Sequence, residues 1–220
     1  MTASERSRGL VFFALYLLAF PYLNACAQRI ISGDGEALVA EANVLYYAFL
    51  FTLAVLLFWS FLKKDFLELM NWLPENLFGV TVGFLAAGGL YLLLRRLPFP
   101  VPDPIGAQYA AEYAAAPAPT LTLVALLIPV VEEVLFRGLV FGNLRSYSRP
   151  LAYLVCVPLY ALAQVWRYAL DFSDPRYLLL SLLYLPMSAA LTWCYDNGGS
   201  VWSGVLLHAG LNALCLFIPA

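Results

Sequence analysis

With one histidine and few charges in the chain, the residues able to do chemistry are few. The stretch VVEEVLFRGLVFGNLR, Val130 to Arg145, sets Glu132, Glu133 and Arg137 inside an otherwise apolar run, and GVLLHAGLNAL near the carboxy terminus holds His208 and Asn212. Glu133 and Arg137 stand at i and i+4 with the acid first, the favourable order for a helical pair. Arg137 can therefore neutralise Glu133 and fix its side chain. Glu132 is turned about 100° around the helix and is the spare carboxylate. His208 and Asn212 are one turn apart on one face, with Gly204 a turn earlier leaving space beside them. A carboxylate, an imidazole and an amide in one bundle can activate water and then donate hydrogen bonds to an oxyanion. Two other readings stand beside this one. A His–Asn pair can be interhelical hydrogen-bonding glue worth about 0.6–2 kcal/mol, and a Glu–Glu–Arg group can be the proton or ion site of a transporter.

The elements that carry these residues are membrane helices. The sequence is 63% hydrophobic and 12% charged, and apolar runs long enough to cross a hydrocarbon core of about 30 Å recur throughout. Seven spans are expected, at 9–28, 44–62, 77–94, 119–142, 151–168, 177–195 and 199–218. The alternating pattern of a membrane barrel is absent, so the fold class is all-α, a polytopic transmembrane helical bundle forming a single integral membrane domain over 1–220. Pro129, three residues before Glu132, removes a backbone N–H and disfavours regular helix there. Burial of a carboxylate or guanidinium at membrane depth costs at least about 2.5–3.5 kcal/mol, so Glu132, Glu133 and Arg137 must face a partner or a wet cavity.

A net charge of −2 and the lack of a basic arm give no sign of nucleic-acid binding. Cys26, Cys156, Cys194 and Cys215 have no CxxC spacing and read as packing thiols. Arg6 and Arg8 precede an apolar run that resembles a signal sequence, but a first span that stays attached is the simpler account. The Lys and Arg distribution weakly favours a cytoplasmic amino terminus, which puts the acidic stretch 32–41 and the Pro-rich stretch 98–120 outside as loops. KKDFLELMNWLPE has Phe66, Leu69, Met70 and Leu73 at helical spacing and reads as a short connecting helix along the surface.

EEVLFRG resembles the EExxxR motif of the CPBP family of intramembrane proteases (CAAX protease and bacteriocin-processing, also called Abi), relatives of Rce1-type prenyl-protein endopeptidases. HAGLN resembles that family's later HxxxN motif. YALAQ, Tyr160 to Gln164, stands where the family has an aromatic-xxx-His motif, so Gln164 replaces a histidine. The resemblance covers a CPBP-like catalytic core at 119–215. It implies that Glu132 activates water, that Glu133 and Arg137 support it, and that His208 with Asn212 stabilises the oxyanion; Gln164 takes the place of the histidine that helps hold the water. Glutamine positions water but cannot take up a proton, and it is a poor metal ligand. No cofactor is therefore expected, and a metal-free glutamic mechanism is favoured over a zinc site.

The implied function is an intramembrane endopeptidase that hydrolyses a peptide bond in a membrane-bound protein or peptide, in protein maturation or in processing of a carboxy-terminal tail or sorting signal. The expected setting is the lipid bilayer, the plasma (inner) membrane if the source is bacterial. The alternatives are a non-catalytic relative in bacteriocin immunity or scaffolding, and an ion-coupled transporter.

Overall fold

The computed structural model describes residues 1–32 and 39–218, and every described element is helical. α1 (Ala3–Leu18) starts in a capping box, with Thr2 Oγ1 accepting from the Glu5 N–H and Glu5 accepting from the Thr2 N–H. α2 (Phe20–Ser32) follows at 57° to α1. The expected span 9–28 is therefore bent rather than straight. Pro21 has no N–H to give to the carbonyl one turn before it, which releases the chain to turn at Ala19.

α3 (Val39–Asn71) runs for 33 residues with a kink at Phe58. The stretch read as a separate surface helix forms its last turns, and the buried face there carries Asp65 and Leu69, with Phe66 and Met70 exposed. The polar residue faces inward because it serves another helix: the Asp65 carboxylate accepts the Val201 N–H, and its carbonyl accepts the Ser200 hydroxyl. Residues 33–38 of the acidic stretch lie outside the described residues.

α4 (Leu73–Leu94) packs on the last two helices through small residues. A Cβ at Gly83 would lie 2.7 Å from Leu207 Cδ2, so a larger residue there requires the Leu207 side chain to shift. The Pro-rich stretch read as a loop contains α5 (Pro104–Ala115), which begins with Asp103 accepting from the Ile105 N–H and proline in its first turn, then runs on alanines.

α6 is a continuous helical rod over 117–145 in which the turns Leu123–Leu127 and Val134–Phe141 are π-helical. α7 (Arg149–Asp171) is capped by Ser148. A 3₁₀ turn (Pro175–Leu180) leads into α8 (Ser181–Gly198), which ends at Gly199 in the left-handed region. α9 (Val201–Phe217) completes the bundle.

The all-α bundle is as read from the sequence. Among the described residues, three helices are long and apolar enough to cross a membrane, or four with α1 and α2 as one bent span. The count of seven spans is not confirmed by that criterion: α6 is interrupted by its π-helical turns, and α9 is a shorter apolar helix of 17 residues. The main apolar core gathers Phe12, Leu50, Phe58, Val131, Leu135 and Phe136 from α1, α3 and α6, directly beside the two glutamates.

Candidate active site

α6 carries both carboxylates into the interior, and its π turns set their directions. The Ile128 N–H bonds Leu123 O, five residues back. Continuing that register, Val124 O would need the N–H of Pro129, which does not exist. The Asn212 side chain supplies the missing donor, its Nδ2 lying 2.8 Å from Val124 O.

Glu133 and Arg137 form the expected i, i+4 pair at 3.0 Å, with no exposure on either side chain. Arg137 Nη2 also reaches the Ser188 carbonyl at 3.2 Å, and its guanidinium lies over the Tyr160 ring at 4.3 Å. The same Glu133 oxygen, Oε1, lies 2.8 Å from His208 Nδ1. A carboxylate only accepts, so Nδ1 carries the proton and Nε2 is turned inward. Gly204 matters here as spacing: a Cβ would sit 2.8 Å from Glu133 Oε2.

Glu132 faces different helices. Its Oε1 accepts from the Tyr16 hydroxyl at 2.7 Å, and its Oε2 from Gln164 Nε2 at 3.1 Å. His208 Nε2 lies 3.8 Å from Glu132 Oε2 and 3.2 Å from the Tyr160 hydroxyl. One imidazole thus stands between two carboxylates, fixed by Glu133 and presented to Glu132. The spare carboxylate of the sequence reading is spare in this sense: among the described residues no guanidinium pairs with it.

Glu132, Gln164, His208 and Asn212 all line one chamber of about 110 Å³. They come from α6, α7 and α9, so three helices must dock to assemble them. Gln164 reaches Glu132 directly although it stands late in its helix. Asn212 joins the chamber, but one of its two amide hydrogens is committed to Val124 O, which leaves the other for an oxyanion.

Tyr16, Tyr160 and Ser188 complete the cluster and were not singled out as site residues from the sequence. Tyr160 begins the YALAQ stretch, and a tyrosine placed mid-span as Tyr16 is must find a partner for its hydroxyl, which is the available signal. Among the described residues no three His, Cys, Asp or Glu side chains gather to hold a metal ion. The four cysteines are free; Cys156 and Cys194 are buried as packing thiols should be, whereas Cys26 is exposed.

Residues 114–214 match the family model described as Rce1-like, type II CAAX prenyl endopeptidase. The match over this segment supports the CPBP/Rce1-type family. No curated protein and no solved structure matches it. The matched Rce1-like segment holds α6 to α9 almost whole, and with them both glutamates, Arg137, Gln164, His208 and Asn212. Tyr16 lies outside it, on α1. The Rce1-like match and the apolar helices support a membrane protein of the CAAX-type protease kind.

Proposed function

We propose that the chain is an intramembrane glutamic endopeptidase that cleaves a membrane-bound protein or peptide, with Glu132 as the base that activates water. The observation that carries this reading is the asymmetry of the two carboxylates. Glu133 is consumed by Arg137 and His208, whereas Glu132 meets only neutral donors and the inner face of His208.

In the proposed reaction a water hydrogen-bonded to Glu132 attacks the scissile carbonyl, forming the C–O bond as its proton passes to Glu132. The oxyanion is met by the second Asn212 N–H, beside the His208 ring that Glu133 holds in place. Collapse breaks the C–N bond, and Glu132 returns the proton to the leaving amine. Glu133 and Arg137 act through His208 and are positioning residues. The donor set supports a metal-free course: one imidazole and one uncommitted carboxylate fall short of the roughly three protein ligands of a catalytic zinc. Substrates fitting the family and the apolar chamber are membrane-tethered segments processed in maturation or in removal of a carboxy-terminal tail, in the plasma (inner) membrane if the source is bacterial.

Gln164 favours the second reading, a non-catalytic relative, because it cannot relay a proton. The variant Gln164→His separates the two. For a peptidase, cleavage of membrane-tethered peptides in proteoliposomes is expected to rise about tenfold or more, a part of the full acid–base contribution of about 10²–10⁴. Binding of such peptides with no cleavage in either form would instead support the scaffold.

A further inference from the structure

Glu132 lies where two chambers meet. The first, described above, has Ala87, Leu183, Met187 and Leu211 in its wall beside His208 and Asn212. The second, of about 160 Å³, is lined by Tyr16, Asn24, Gln108, Gln164 and Arg167. Glu132 and Gln164 belong to both.

The polar wall is tied together. Asn24 Nδ2 donates to Asn43 Oδ1 at 3.0 Å, Asn43 Nδ2 to Glu112 Oε1 at 2.9 Å, and Gln108 Nε2 to the same Glu112 oxygen at 2.7 Å. This belt joins α2, α3 and α5 around the chamber. Asn43 and Glu112 within it are 3% and 6% exposed. Asn24 Oδ1 is buried with no hydrogen-bond partner. The chamber runs from Glu132, 5% exposed, to the Arg167 side chain, 31% exposed.

We propose that the attacking water reaches Glu132 through this polar chamber, from the end of the bundle where α2, α5 and the last turns of α7 meet, while the substrate occupies the apolar chamber on the His208 side. The inference rests on the proposed peptidase. Peptide hydrolysis consumes one water per bond, and a water held in a protein interior needs about two to four polar partners. The polar chamber offers them in sequence, from the Asn24 and Gln108 amides to the Tyr16 hydroxyl, which donates to Glu132 Oε1. The apolar chamber has more apolar than polar wall, and away from Glu132 its polar groups are Tyr91, Asp103 and Tyr184, alongside Leu183, Leu214 and Leu216. Water entering beside Tyr16 takes over that hydrogen bond and arrives in contact with the base without first crossing the substrate's chamber.

The test reads access rather than cleavage. In protein lacking Cys26, Cys156, Cys194 and Cys215 and reconstituted in bilayers, the Glu132→Cys thiol is reacted with a charged, membrane-impermeant methanethiosulfonate. Asn24→Trp or, as a second variant, Gln108→Trp fills the polar chamber and is expected to slow labelling about tenfold, equivalent to a barrier increase of ~1.4 kcal/mol. In protein retaining only Cys215, which lines the apolar chamber, the charged reagent is expected to react more slowly than at Glu132→Cys, and a neutral, lipid-soluble maleimide readily. Labelling of Glu132→Cys unaffected by both tryptophans, or charged-reagent labelling faster at Cys215, overturns the proposal. A route that behaves as expected in a protein that never hydrolyses peptides would leave the route standing and sink the peptidase.

Discussion

Replacing Arg137 by methionine tests the logic of the buried pair. The guanidinium has three partners: Glu133 Oε1, Ser188 through both its carbonyl and its hydroxyl, and the Tyr160 ring. Two of these tolerate its loss. The Ser188 carbonyl keeps a bond from the Thr192 hydroxyl at 2.7 Å, and a methionine can pack against Tyr160. Glu133 does not tolerate it: its side chain has no exposure, Oε2 has no partner, and only His208 Nδ1 remains on Oε1. Breaking a buried ion pair from one side costs about 3–5 kcal/mol, whereas removing both charges is often near neutral. For a chain of this size that corresponds to a melting shift of about 6–20 °C for Arg137→Met in detergent micelles. The double variant Glu133→Gln with Arg137→Met should recover most of it. A single variant that melts within about 2 °C of the parent, or a double variant as unstable as the single, would refute the reasoning.

Two further outcomes follow from the same geometry. Asn212→Leu leaves Val124 O without a donor and should cost about 0.5–1.5 kcal/mol of stability; adding Pro129→Ala, which restores the backbone N–H, should shrink that cost in a double-mutant cycle. Strictly additive effects would show that Asn212 does not serve Val124. Burial pushes the Asp103 carboxyl, in the loop before α5, above its ordinary range. The folded state therefore holds that proton more tightly, so this contribution favours folding below the unfolded pKa of about 3.9 and is lost as pH rises through the folded value. Asp103→Asn keeps an N-cap acceptor and removes the titration. Denaturation should find it at least as stable as the parent at pH 7, with the difference closing towards pH 4, and the opposite trend would count against the account.

The residues on α6 and α9 were legible from spacing alone. An i, i+4 acid–base pair and a His–Asn pair one turn apart specify faces, and the two faces meet. Gln164 was placed by motif order, and its direct contact with Glu132 required the docking of α7, which spacing does not encode. Tyr16 is 116 residues from Glu132, and no local pattern announces so distant a partner. α5 was hidden because prolines read as loop signals, although proline in the first turn starts a helix as readily as it ends one. The inward Asp65 contradicted the amphipathic reading of its stretch because a buried helix amino terminus, that of α9, outweighed apolar burial. The bend at Ala19 followed from Pro21 but was submerged in a continuous apolar run.

The central claim is that Glu132, and not Glu133, activates the water. Its most direct test is the cleavage rate of a membrane-tethered peptide by the reconstituted protein and by Glu132→Gln, read together with the melting temperature of each. The account predicts a fall of about 10²–10⁴ in rate, the usual contribution of a general base, with melting unchanged because glutamine keeps an acceptor for Tyr16 or Gln164. Undiminished cleavage by Glu132→Gln would contradict it.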